Sequence, residues 1–137
     1  MRHTMQHLHL YEPAEFSDKY VLSEVEITPL DACIAVHITC STRQMGLAST
    51  LVRVAQACAN KVLVPEEVGC CAFAGDKGFT DPELNEWALR KLKPQVEKAG
   101  ATMGVSNSRT CEIGLSTHSG IEYHSIAHLV NMTCKRK

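Results

Sequence analysis

Long apolar runs are missing from this sequence: none approaches the roughly 20 residues that a membrane-spanning helix needs. The opening MRHTMQHLHLYEP lacks the apolar stretch of a signal peptide. An excess of one charge is missing too. Lys and Arg total 14 against 15 Asp and Glu, a net charge of −1. That balance gives no basic footprint for nucleic acid and no acidic tail, and the terminal Lys135-Arg136-Lys137 is too short to argue for a polyanion. No GxGxxG follows a strand-like run, and GDKG lacks the GK[ST] ending of a phosphate-binding loop. No CxxC pair occurs, so a zinc ribbon is excluded. Repeats and low-complexity segments are absent as well. The expectation is a cytoplasmic chain with no nucleic-acid partner and no transmembrane segment; a homo-oligomer is left open.

What the chain does have is cysteine. Its 137 residues suit a single domain with a sizeable core and carry seven cysteines, at 33, 40, 58, 70, 71, 111 and 134. A disulfide scaffold would be shorter, rich in loops and even in cysteine. In a reducing compartment such a count points to metal binding, catalysis or simple burial.

Residues 1–30 read as an irregular N-terminal segment punctuated by Pro13 and Pro29, with His3, His7 and His9 as passive surface histidines. Residues 31–137 read as a cysteine-rich domain in which strands alternate with helices. Cys33 to Ile38 (CIAVHI) is a nearly continuous apolar run, as for a strand buried on both faces. Leu47, Leu51, Val54, Ala55 and Cys58 follow helical spacing. Lys61 to Val64 is a second strand, ended by Pro65. Asp81 and Pro82 suit the start of a helix whose stripe is Leu84, Trp87, Ala88, Leu92, Val96 and Ala99; Pro94 divides it and Gly100 ends it. Ala101 to Val105 is a third strand, a helix begins near Thr110, and a short strand and a helix from Ser125 complete the chain. The pattern predicts an α/β fold: a mostly parallel sheet flanked by helices, Rossmann-like and three-layered.

On that scheme Cys40 follows the first strand, Cys70 and Cys71 the second, and Cys111 the third. Parallel strands end on one edge, so four thiols distant in sequence converge there. Such thiolates are soft ligands for Zn²⁺ or iron–sulfur clusters. Adjacent side chains diverge, which makes Cys70 and Cys71 better suited to two irons of a cluster than to one small ion. The alternatives are zinc and a set of reduced, metal-free thiols, made more reactive if helix N-termini lower their pKa values.

HITCSTRQMGL, VPEEVGCCAFAGDKGFTDPEL and SNSRTCEIGLSTHSG resemble the C-terminal cysteine-rich (CCG) domain of FAD-linked iron–sulfur D-lactate dehydrogenases. Related domains occur in the glycolate oxidase iron–sulfur subunit and the heterodisulfide reductase B subunit. The resemblance runs from Leu8 to Cys134 and implies that Cys40, Cys70, Cys71 and Cys111 ligate an iron–sulfur cluster of the 4Fe-4S kind, or zinc. It also implies electron transfer with a flavoprotein domain or subunit as partner, FAD being confined to the parent enzyme. The chain is then expected to be the C-terminal part of a larger oxidoreductase, inactive alone and at most peripheral to the inner membrane through its complex. A metal-free or zinc-binding docking domain of the same complex is the alternative. Ala72 stands where the family carries glycine; if that glycine serves a positive φ, alanine strains or reshapes the loop. Gly114 stands where some relatives have a fifth cysteine.

Arg43 and Arg109 flank two cysteine loops and are candidates for offsetting the charge of a bound cofactor. His37, three residues before Cys40, stands at the site edge, although a satisfied core histidine is the favoured reading. Cys33 and Cys58 read as small hydrophobes, Cys134 as a free thiol near the end. His118, His124 and His128 read as surface or packing residues; the last two have the spacing of a weak metal signal. HITCSTR has the wrong arginine spacing and lacks the glycines of a cysteine-phosphatase loop, so a thiol enzyme is rejected.

Overall fold

In the computed structural model, which describes residues 7–137, the central element is β2 (Leu30–Val36). Its side chains alternate between two cores. Ile34 and Val36 enter one, Cys33 and Ala35 the other. A strand buried on both faces is what a nearly continuous apolar run predicts.

Three further strands extend the sheet: β3 (Ala59–Leu63), β4 (Ala101–Ser106) and β5 (Tyr123–Ser125). The order is β3-β2-β4-β5 and every pairing is parallel. Helices cover both faces, giving the three-layered α/β fold. On one side lie α3 (Ala48–Cys58) and α8 (Ile126–Thr133), which bury Leu51, Val54, Ile126 and Leu129 with Ile34 and Val36. On the other lie α5 (Pro82–Leu89), α6 (Leu92–Ala99) and α7 (Arg109–Ser119), which bury Leu89, Leu92, Val96 and Leu115. The connection leaving β2 crosses one face and that leaving β4 crosses the other. The crevice between the carboxyl ends of these two neighbours is therefore the topological switch point, where open α/β sheets build their sites.

The segment before residue 31 carries more structure than its composition suggests. α1 (Pro13–Phe16) has Pro13 at its first position and a reciprocal cap between Glu12 and Glu15. A five-residue π turn (Ser17–Val21) follows, and Ala14 is fully buried in the first core. β1 (Val25–Ile27) pairs antiparallel with β6 (Cys134–Arg136) in a separate two-stranded sheet. His7 and His9 are exposed; His3 lies outside the described residues.

The helical stripe expected around Trp87 is also revised. The chain breaks at Arg90–Lys91, ahead of Pro94, and the break resets the helical phase. In α5 the buried pair is Asn85 and Leu89, spaced i, i+4, while Leu84 and Trp87 face outward, Trp87 being 68% exposed. Arg90 stacks 3.8 Å above the Trp87 ring. Among the described residues no helix is long and apolar enough to cross a membrane.

Candidate metal centre

Three loops meet at the switch point. The first leaves β2 through His37, Ile38 and Thr39. The His37 amide donates to the Val105 carbonyl at 2.9 Å, tying this exit to β4. Thr39, buried, accepts from the Thr42 amide at 3.2 Å and caps the short helix α2 (Cys40–Gln44), so Cys40 stands at its first position. The third loop leaves β4 through Ser106 and Asn107, and α7 carries Cys111 in its first turn.

The second loop, after β3, brings Cys70 and Cys71. Its backbone turns through left-handed conformations at Ala72 (φ 53°), Ala74 (φ 46°) and Gly75 (φ 76°). Ala72 thus adopts the positive φ that a glycine would take without penalty. The paired thiols differ in environment: Cys71 is buried, Cys70 exposed. Phe73 anchors the loop in the second core, edge-on to Phe79 at 4.9 Å. A short helix, α4 (Lys77–Thr80), closes it. Asn85, 3% exposed, reaches back from α5 and donates to the Cys71 carbonyl at 2.5 Å. Gly114 makes room for this contact, since a Cβ there would stand 2.5 Å from Asn85 Nδ2 and 2.9 Å from the Phe73 ring. A larger side chain at position 114 would displace the strut behind Cys71.

Of the four expected thiols the structure brings Cys71 and Cys111 into contact, with Cys40 and Cys70 near enough to act on them electrostatically. Cys71 Sγ donates to Cys111 Sγ at 2.9 Å. Cys40 and Cys70 stand on the exposed side, near enough to each other for Cys70 to act on the titration of Cys40. The Cys71 thiol raises no charge of its own: its hydrogen bond to Cys111 and then its burial push its pKa up. The same bond, helped by Ser108, lowers Cys111 to about 7. The two thiols titrate as a coupled pair in which Cys111 is the more readily deprotonated member. Cys40 is pushed up, chiefly by its bond to Cys70 and then by burial. Lowering by the helix start, one expectation for these thiols, is therefore not general.

One donor was read differently from the sequence. His37 is 2% exposed and its Nε2 has no hydrogen-bond partner among the described residues, so it is not a satisfied core histidine. Its ligand nitrogen and the Cys71 and Cys111 sulfurs all lie within 4.8 Å of one another. Burial first, and Arg43 second, lower its pKa to about 4, leaving the ring neutral at pH 7. This His/Cys group can hold a metal ion. Cys40 and Cys70 lie outside this tight trio, on its solvent side.

Arg43 donates to the Ile38 carbonyl at 3.3 Å and acts on His37. Arg109 forms an ion pair with buried Glu112 at 2.9 Å and is itself largely exposed. Cys33 and Cys58 are buried in the two cores, as small hydrophobes are, and Cys134 is half-buried at the start of β6. His124 and His128 stack with ring centroids 4.6 Å apart, and His124 Nε2 lies 3.5 Å from Glu122. Among the described residues all seven cysteines are free. Sequence reasoning also missed Asn85; its signal was an amide on the apolar side of a helix, four residues before Leu89.

A comparison with protein-family models, with curated proteins and with solved structures returns no match.

Proposed function

We propose that this chain is the metal-holding, electron-transferring domain of an FAD-dependent D-lactate (2-hydroxy acid) dehydrogenase, with an iron–sulfur centre held by Cys40, Cys70, Cys71 and Cys111. The observation that carries the reading is the meeting of His37, Cys71 and Cys111 at the carboxyl edge of β2 and β4, with exposed Cys40 and Cys70 beside them. With those two thiols added, the neighbourhood offers more donors than one tetrahedral ion takes, which favours a multi-iron centre. The donor chemistry also fits. Cys111 needs little further deprotonation near neutral pH, and the orphaned His37 nitrogen is neutral.

An iron–sulfur centre, when bound, supplies one-electron redox capacity. The chain supplies the rest. Buried Cys71, braced by Asn85, fixes the inner side of the site, while exposed Cys40 and Cys70 bring its outer side to the surface, where a flavoprotein partner can approach. Oxidation of the 2-hydroxy acid belongs to the FAD domain of that partner. In this reading the chain works in the cytoplasm and meets the inner membrane only through a larger complex.

The resemblance of the cysteine motifs supports this reading over one from geometry alone. A second reading, a zinc-holding docking domain, is favoured by one observation: the three ligand atoms of His37, Cys71 and Cys111 are already gathered on the scale of a single ion. Zinc is redox-inert, so the two readings separate cleanly. The test is anaerobic reconstitution with iron and sulfide, wild type against Cys71→Ser. The expected outcome is a visible iron–sulfur absorption band that the substitution abolishes. Equal iron and sulfide in both proteins would rule the proposal out.

A further inference from the structure

The sulfur-rich motifs direct attention to cysteine, yet one of the unpaired buried atoms of the site is an imidazole nitrogen. Buried polar atoms are nearly always hydrogen-bonded, and leaving one unpaired is costly. His37 Nε2 is such an atom, fully enclosed and without a partner among the described residues. The position is not a loose one. His37 is the residue after the last of β2, and its backbone is bonded to β4. The alternation of β2 puts His37 on the same face as Cys33 and Ala35, the face that carries Cys71. Ser106 Oγ, on the neighbouring strand, is likewise buried and unpaired. Polar atoms left over at the mouth of a thiol cluster are expected where a further group completes the site.

We infer that His37 is a metal ligand, so that the centre has a mixed donor set: the His37 imidazole with the Cys71 and Cys111 sulfurs, completed from the outer pair Cys40 and Cys70. The geometry behind this is the mutual 4.8 Å limit on the three ligand atoms. The inference rests on the proposed metal centre and deepens it. An imidazole brings no negative charge to the donor set, so an iron centre held there would have a higher reduction potential than one given a further thiolate in that position.

Zinc is a suitable probe because it is redox-silent and takes both sulfur and nitrogen. One equivalent of Zn²⁺ is added to the metal-free full chain without oxygen, and X-ray absorption at the zinc edge reads the ligand types. The expected spectrum has a sulfur shell together with the outer-shell scattering of an imidazole. His37→Gln should lose the imidazole scattering and keep the sulfur. A sulfur shell without imidazole in the wild type overturns the inference and leaves the thiol centre standing. Imidazole scattering unchanged in His37→Gln also overturns it, since another histidine would then be the donor. No sulfur shell in either protein would sink the thiol centre and this inference together. If His37→Gln fails to fold, the wild-type spectrum still overturns the inference when it shows sulfur without imidazole.

Discussion

On one face of the sheet, Ile34 and Val36 meet Leu51, Val54, Ile126 and Leu129, apolar and fully buried throughout. On the other, Cys33 and Ala35 begin in the same manner, among Leu89, Leu92 and Leu115. That second face then ends at the carboxyl edge in His37, Cys71 and Cys111, with polar atoms of His37 and Ser106 left unpaired. The same strand thus supplies a packed wall and a chemical site, two residues apart. The difference teaches where the free energy of the fold resides. The first face contributes stability through close packing; the second gives up some of it to hold reactive groups in place.

The comparison can be broken from the stable side first. Leu51→Ala removes a fully buried side chain from the first face, and urea unfolding should show a loss of about 2–5 kcal/mol. Its metal stoichiometry, measured below the unfolding transition, should equal that of the wild type. A metal site lost together with a still-folded chain would mean that the two faces are not separate.

On the reactive side, His37 makes a pH prediction for the metal-free chain. Burial lowers its pKa to about 4 in the fold, against about 6.5 when unfolded. Between those values the unfolded chain binds a proton that the folded chain does not. Stability is therefore full above about pH 6.5 and falls as the pH drops toward 4, by about 3 kcal/mol at most. Urea unfolding at pH 7 and pH 4.5 should show this slope in the wild type and a flatter one in His37→Gln. Equal slopes would contradict the buried, neutral imidazole.

The smallest effect concerns the loop that carries the cysteine pair. Ala72 holds a left-handed conformation that glycine takes freely, so Ala72→Gly should raise stability by about 1 kcal/mol, read as a higher urea midpoint. A fall in stability would show that the Ala72 methyl group packs usefully, and that this loop is not strained.

Much of this was legible in the sequence. The apolar run of β2 and the positions of Cys40, Cys70, Cys71 and Cys111 after successive strands are enough to predict a parallel sheet with thiols on one edge. Both are local patterns read through a topological rule. What was not legible depends on distant partners. β1 and β6 are three residues each, too short for a period to show, and they are strands only because they pair across the length of the chain. Trp87 was assigned to a buried stripe because the helix was read as one phase through Arg90. His37 looked like an ordinary core residue because an unpaired nitrogen is a property of its surroundings, not of its neighbours in sequence.

The central claim is that the three loops at the switch point form one metal centre. The most direct measurement is the content of iron, acid-labile sulfide and zinc per chain after anaerobic purification, before and after reconstitution with iron and sulfide. The account predicts iron and sulfide in stoichiometric amounts. Zinc without sulfide would transfer the site to the docking reading, and a chain that takes up neither metal would contradict the claim.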